Sequence, residues 1–357
     1  MAIRTLDLFC GGGGSSYGAR SAGADIICGV DAWPCATAVF AANFPNARVL
    51  TYELSDASRA SDLGNLGQID LLLASPECTN HTCARGNRPI DDDSRRTANH
   101  VLNFVRELTP RWIVVENVVH MRSWEGYAPF IEALGRMGYH VSIEILDASR
   151  FGVPQTRRRL FILADRATIP PRILRRPGRT PTAAGILDPE GTWLSMPLRT
   201  GKRAKATIER AGRGIAALGR GVPFLIVYYG TDGAGGWQPL DRPLRTVTTL
   251  DRFGLVTWDG RTPMLRMLQV PELRRAMGFG SDYNLDAVTQ RRERIKILGN
   301  GVAPPVMQRI VQTLTEGAGT STQMSREAGL RSYRGAVLES AWGDPNRGYV
   351  AHAQVAV

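Results

Sequence analysis

Along the first 165 residues, short apolar runs alternate with stretches of helical periodicity. Ile3-Arg4-Thr5-Leu6-Asp7-Leu8-Phe9 reads as a strand, followed by a glycine-rich turn and a helical stretch ending near Ala22. Further strands are predicted over Asp25 to Val30, Ala47 to Tyr52, Ile69 to Ala74, Trp112 to Val115, Tyr139 to Leu146 and Leu160 to Ala164. Helices are predicted over Trp33 to Asn43, Ala98 to Leu108 and Ala128 to Met137. The run Ile69 to Ala74 is apolar throughout, which suits a strand covered on both faces. Strands and helices alternating at these lengths predict an α/β fold with a doubly wound, mostly parallel sheet.

The pattern breaks at Arg166. Pro170-Pro171, Pro177-Gly178, Pro181 and many arginines mark an irregular stretch through Gly221, followed by a strand-like Phe224 to Tyr229 and a glycine-rich 230–236. Helical periodicity returns at Pro271 to Met277 and at Val306 to Leu314. The expected organisation is therefore a first domain over 1–165, a second, smaller, irregular domain over 166–263, and a segment over 264–316 returning to the first. The tail 317–357 receives no role. The polar stretch Thr79 to Thr97 reads as a mobile loop able to close on a substrate.

A length of 357 residues suffices for two cores. The net charge of +11 changes the picture because it is concentrated: Arg150 to Arg220 holds 16 Lys/Arg against the four acids Asp165, Asp188, Glu190 and Glu209. Such clustering is the footprint of a polyanion partner, with a merely solvated basic surface as the alternative. The five cysteines, Cys10, Cys28, Cys35, Cys78 and Cys83, are odd in number and all lie in the first quarter of the chain. That argues for a reducing compartment rather than a disulfide framework. Cys78 and Cys83 lack a second pair at ligand spacing, so no metal site is expected. No apolar stretch approaches the ~20 residues of a membrane span, and the amino terminus runs directly into a strand, so a cytoplasmic protein is expected.

Candidate chemistry collects at strand ends. Cys10-Gly11-Gly12-Gly13-Gly14 between the first strand and first helix lets backbone approach a ligand closely, and Asp31 closes the second strand where a ribose diol is usually held. No G-x-G-x-x-G spacing follows, which favours an adenosine-bearing cofactor without pyrophosphate over a dinucleotide. Cys78 follows the strand that stops before Pro76, and Glu116 ends the strand beginning at Trp112. Open α/β sheets bind their ligands at such carboxyl ends.

Taken together, these residues resemble the cytosine-C5 DNA methyltransferase family over residues 4 to about 314. Asp7-Leu8-Phe9-Cys10-Gly11-Gly12-Gly13-Gly14 looks like the family's cofactor motif, Pro76-Glu77-Cys78 its nucleophile motif, and Glu116-Asn117-Val118 its acid motif. Gln155-Thr156-Arg157-Arg158-Arg159 looks like its glutamine-arginine motif. Arg266 with Glu272 to Phe279, and then Gly299-Asn300-Gly301-Val302, resemble its last two. The resemblance implies methyl transfer from S-adenosylmethionine to cytosine in double-stranded DNA. It implies that the second domain recognises DNA. Compact size with one catalytic domain suggests a prokaryotic or viral enzyme, and a monomer is expected.

Carbon 5 of cytosine is too weak a nucleophile to take a methyl group directly, and thiolate addition at carbon 6 makes it enamine-like. The resemblance assigns the thiolate to Cys78, contact with ring nitrogen 3 and the exocyclic amine to Glu116, and bracketing of the base to Arg157 and Arg159. Thr82, Asn117 and Gln155 would contact the substrate. Phe9, Gly11, Gly13, Asp31, Glu53, Asn300 and Val302 would hold the cofactor. The target atom is inaccessible in a duplex, so the base must be flipped out. The basic segment would neutralise phosphates, with Tyr228, Tyr229 and Trp237 either facing bases or packing.

Two departures stand out. Glu77 and Thr79 flank Cys78 where the family carries proline and glutamine, and an inward Glu77 would disfavour the thiolate. Trp33 is shifted by one position relative to the family's acid-aromatic pair. An RNA-directed relative and a catalytically dead nucleic-acid-binding protein are the alternatives. The short 165–263 stretch predicts a short or relaxed recognition site.

Overall fold

The computed structural model describes residues 2–76, 92–230, 233 and 235–316, with the backbone alone for 92–96. Cys78, Thr82 and most of the polar stretch read as a loop lie outside the described residues, as does the tail from 317. The chain divides into two compact units, one of residues 1–147, 158–175 and 304 onward, the other of 148–157 and 176–303. The expected boundaries at 165/166 and 263/264 are not where the division falls. Residues 148–157 and 264–303 group with the second unit, and the return to the first begins at Pro304.

The first unit holds β1 (Ile3–Leu8), α1 (Gly14–Ser21), β2 (Ala24–Asp31), α2 (Pro34–Asn43), β3 (Arg48–Thr51) and β4 (Leu71–Ala74). Further along the chain come α3 (Asp92–Leu108), β5 (Trp112–Asn117), α4 (Tyr127–Arg136), β6 (His140–Asp147) and β7 (Arg158–Asp165). The strands form one sheet in the order β3-β2-β1-β4-β5-β7-β6. Every residue of β4 and β5 is buried, which explains their unbroken apolar character. Leu6, Leu72, Ile113 and Val115 pack with Val101, Phe104, Phe130 and Leu134 in one core.

Strand β7 departs from the parallel pattern, running antiparallel to both β5 and β6. The cause is connection length. Only residues 148–157 separate β6 from β7, and a parallel crossover needs a dozen or more.

The second unit holds β8 (Met196–Pro197), α5 (Lys205–Leu218), β9 (Phe224–Val227), β10 (Trp237–Pro239), β11 (Phe253–Asp259), β12 (Thr262–Met267), α6 (Val270–Ala276) and α7 (Arg291–Asn300). Its five strands form an antiparallel sheet in the order β10-β9-β11-β12-β8. α8 (Pro304–Glu316) belongs to the first unit and packs on α1 at Gly18, where a Cβ would strike the Pro304 carbonyl.

Helix α5 lies inside the stretch read as irregular. Its apolar positions Ile208, Ala211, Ile215 and Leu218 follow helical spacing, and Phe224 packs across Gly214. Two glycines and many cations obscure that stripe. Helix α7 is mostly polar, and the apolar pattern of the chain does not predict it either.

A buried charge network ties the second unit together. Glu272, 0% exposed, accepts from Arg266 at 2.8 and 2.7 Å and from the Gln269 and Asp188 N–H groups at 2.7 and 3.0 Å. Asp188 in turn accepts from Arg275 at 2.5 Å and from the Trp193 indole at 2.7 Å. Glu272→Ala leaves the Arg266 charge buried and uncompensated, and should cost about 3–5 kcal/mol of stability. Urea unfolding followed by tryptophan fluorescence will measure the shift.

Candidate active site

The strand order of the first unit reverses between β1 and β4, and ligands of open α/β sheets bind where the order reverses. Both sides of that point carry candidate residues. β1 leads into Phe9 (φ 54°) and Gly11 (φ 53°), left-handed conformations that a phenylalanine adopts only at a cost. The turn closes with the Gly13 N–H donating to the Cys10 carbonyl at 2.9 Å.

Asp31, at the end of β2, accepts the Gly11 N–H on Oδ2 and the Trp33 N–H on Oδ1, each at 2.8 Å. Its carboxylate is thereby held in place beside the glycine turn. Thr51 pairs with Asp31 across β2 and β3, which brings the exposed Glu53 to the same edge. A Cβ at Gly11 would meet nothing within 4 Å, so open space faces this turn. A positioned carboxylate, an open glycine backbone and a second exposed acid suit a ligand carrying a ribose and an amine, so these residues fit S-adenosylmethionine.

Gly13 plays a different part from the one expected. A Cβ there would lie 2.5 Å from the Phe44 ring and 3.0 Å from Phe40, so this glycine serves packing on α2 rather than approach to a cofactor. Asn300 ends α7 and is exposed, while Val302 is 4% exposed, both in the second unit.

On the other side of the reversal, β4 and β5 are parallel neighbours with Ala74 paired to Val115. Glu116 and Asn117 follow directly, 7% and 3% exposed. Arg159, near the start of β7, places Nε 3.1 Å from Glu116 Oε1. Asn117 donates from Nδ2 to the Pro76 carbonyl at 3.2 Å and accepts the Val118 N–H at 2.8 Å. Its amide is thus engaged in holding Pro76, two residues before Cys78. This is a positioning geometry, in place of the substrate contact expected of Asn117.

Gln155 and Arg157 belong to the second unit and are also engaged internally. Gln155 is 0% exposed, accepts the Val247 N–H at 2.7 Å and donates to the Ala276 carbonyl at 3.0 Å, so it does not face a substrate. Arg157, 3% exposed, donates to the carbonyls of Val247, Gly299 and Gly301 at 3.1, 2.8 and 2.9 Å. A guanidinium spread over three backbone carbonyls positions the segments that carry them, and this replaces the expectation that Arg157 brackets the base. The nearby aromatics pack as well: Trp237 meets Phe224 edge-on, and Tyr229 meets Phe253 edge-on while donating to the Thr246 carbonyl.

Sequence reasoning missed Asp7 as a titrating group. It is fully buried below the glycine turn, accepting from Ser16 Oγ at 2.7 Å, and its Oδ1 has no partner among the described residues. Burial raises its pKa to about 7, with the Ser16 hydrogen bond opposing and the charge of Asp31 reinforcing the shift. Its place beside glycine in the cofactor motif was the available signal. Burial likewise pushes the Cys28 thiol up to about 11 and the Cys10 thiol well above its ordinary value, so neither is a nucleophile near neutrality.

A family profile described as C-5 cytosine-specific DNA methylase matches residues 3–181. The chain is 35% identical over 167 residues to the Type II methyltransferase M.AgeI of Thalassovita gelatinovora, covering 45% of this chain and 39% of that protein. It is 32% identical over 167 residues to the Type II methyltransferase M.HgiDI of Herpetosiphon aurantiacus, covering 46% and 52%. The matched stretches thus span about half or less of these relatives' length. In fold it is similar to the S. pombe Dnmt2 methyltransferase, with TM-score 0.66 and 18% identity over 88% of this chain and 99% of that one. A putative DNA modification methyltransferase encoded within an E. coli prophage gives TM-score 0.64 and 18% identity over 89% and 100%.

Two outcomes follow from this geometry. A carboxyl whose folded pKa exceeds its unfolded value favours folding most at low pH, so the wild type should lose stability as pH rises from about 4 through about 7. Asp7→Asn mimics the protonated form. It should gain up to about 4 kcal/mol relative to wild type between pH 5 and pH 8.5, read from urea midpoints at each pH. Arg157→Lys cannot serve three carbonyls and should cost about 1.5–3 kcal/mol for each charge-assisted hydrogen bond removed, measured in the same unfolding assay.

Proposed function

The chain belongs to the C-5 cytosine-specific DNA methylase family, and we propose that it methylates carbon 5 of a cytosine turned out of duplex DNA. The reading rests chiefly on the parallel ends of β4 and β5. There Glu116 is paired with Arg159, and Asn117 holds the Pro76 carbonyl immediately ahead of the segment bearing Cys78.

In this reading the Cys78 thiolate attacks carbon 6 of the flipped base, forming an S–C bond and pushing electron density toward carbon 5 and nitrogen 3. Glu116 protonates or hydrogen-bonds nitrogen 3, where that density collects, and accepts a hydrogen bond from the exocyclic amine. Arg159 orients Glu116 and, as a cation at the strand edge, favours the ionised thiol. When bound, S-adenosylmethionine supplies the electrophilic methyl group. Loss of the carbon-5 proton and expulsion of Cys78 as thiolate then restore the aromatic ring.

Asp31, Glu53, Phe9 and Gly11 hold the cofactor from the first unit, while Asn300 and Val302 are carried as cofactor contacts by the family resemblance. Thr82 is carried as a contact to the target strand. Arg157, Gln155 and Asn117 act through the segments they hold. The names of the relatives support duplex DNA over RNA as substrate, and a place among modification enzymes of Type II restriction systems. No helix among the described residues is long and apolar enough to cross a membrane, and we infer a cytoplasmic enzyme working on DNA.

A duplex carrying 5-fluorocytosine should trap a covalent adduct with the wild type and none with Cys78→Ser. Glu116→Gln should lower kcat by roughly 10²–10⁴. An adduct that persists in Cys78→Ser, or methyl transfer to transfer RNA in place of duplex DNA, would overturn the reading.

A further inference from the structure

The connection from β3 to β4 covers residues 52–70, lies wholly within the first unit and contains only one short turn of 3₁₀ helix, Ala60–Leu63. Connections longer than about 12–15 residues without structure of their own are uncommon, and an ordered one usually carries function. Its far half is held by apolar burial. Leu63 and Leu66 are 1% and 5% exposed in the core, and their carbonyls accept from Arg48 and Arg4 at 2.6 and 2.7 Å. The near half carries the exposed Glu53. It reaches the same core through Leu54, and from Asp56 to Ala60 its anchors are polar.

Those polar anchors come from α3. Asn103 donates from Nδ2 to the Asp56 carbonyl at 3.0 Å, and Glu107 Oε2 accepts the Ala60 N–H at 2.7 Å. Glu107 Oε1 also lies 3.5 Å from Arg59 Nε, and His100 Nε2 lies 3.3 Å from Asp56 Oδ1. Positions 100, 103 and 107 recur at helical spacing, so one face of α3 grips residues 56–60. Solvent-facing contacts of this kind contribute little to stability, which the buried leucines already supply. Their effect falls on where the segment sits.

The segment passes that placement to Glu53. Ser58, 1% exposed, accepts the Ser55 N–H on Oγ at 2.9 Å, and its Oγ lies 3.3 Å from the Tyr52 hydroxyl. The Tyr52 N–H in turn donates to the Asp31 carbonyl at 3.0 Å. Glu53 is thus flanked by Tyr52 and Ser55, both tied to Ser58, within the stretch that α3 holds. A side chain ordered beforehand loses less freedom when a ligand binds.

We propose that Asn103 and Glu107 of α3 are positioning residues for the cofactor: by clasping residues 56–60 they hold Glu53 ready for an adenosine-bearing ligand. The inference rests on the S-adenosylmethionine reading above and deepens it. It assigns to α3 a share of cofactor affinity without any contact to the cofactor itself. Residues that act through one another have non-additive effects, so a double-mutant cycle with Glu53 separates this role from a merely structural one.

The test titrates S-adenosylmethionine into the DNA-free full chain by calorimetry. The variant carrying Asn103→Ala and Glu107→Ala should raise Kd roughly two- to tenfold over wild type, the loss expected when modest hydrogen bonds are removed. Glu107→Gln keeps an acceptor for the Ala60 N–H and, with Asn103 intact, should stay near the wild-type Kd. In a Glu53→Ala background the same double change should raise Kd little further, because the residue it positions is gone.

An unchanged Kd in the double variant would overturn the clasp. So would an equal loss in the Glu53→Ala background, which would mark a general folding defect. Absence of binding by the wild type is a separate result: it would overturn the cofactor reading, and the clasp with it.

Discussion

Two parallel strands cannot pair without bringing their carboxyl ends to the same edge of the sheet, and most of what this protein offers chemically follows from that constraint. β1, β2, β4 and β5 are parallel neighbours whose registers bring Leu8, Val30, Ala74 and Val115 to one level. Beyond that level lie the glycine turn, Asp31, Pro76 and Glu116 in turn. Apolar burial drives the pairing, since β4 and β5 are buried along their whole length. Chemistry is thus concentrated where the hydrophobic run gives out.

The polar groups at that edge hold one another before any ligand arrives. Asp31 is fixed by two backbone N–H groups, Glu116 by Arg159, and Pro76 by Asn117. A carboxylate pre-oriented by the protein loses little further freedom when it binds, and such preorganisation is what a transfer site needs. Asp7 shows the opposite situation. It is buried with one oxygen unpartnered among the described residues, so its ionisation is resisted.

The second unit solves a different problem. Its antiparallel sheet carries a small core around Phe224, Ile226, Val256 and Leu265, and buried ions do much of the remaining organising. Glu272 and Arg266 join α6 to β12, and Arg157 joins two chain segments through three of their carbonyls. Arginine suits this use because one planar cation serves several acceptors at fixed angles. The basic exterior of this unit, with cations such as Arg176 and Arg179 left in solvent, is then available to an anion.

Strand positions in the first unit were legible from the chain alone, because a strand buried on both faces must be apolar throughout. The strand-end residues Asp31 and Glu116, and Pro76 at the head of the nucleophile motif, could be placed for the same reason. The reversed β7 was not legible: it depends on the length of the connection after β6, which periodicity does not report. Helix α5 escaped because glycines and cations mask its narrow apolar stripe. The parts taken by Gln155, Arg157, Asn117 and Gly13 were decided only in three dimensions. A motif names a side chain, whereas its role depends on which carbonyl, N–H or ring the fold sets against it, and those partners lie up to 144 positions away.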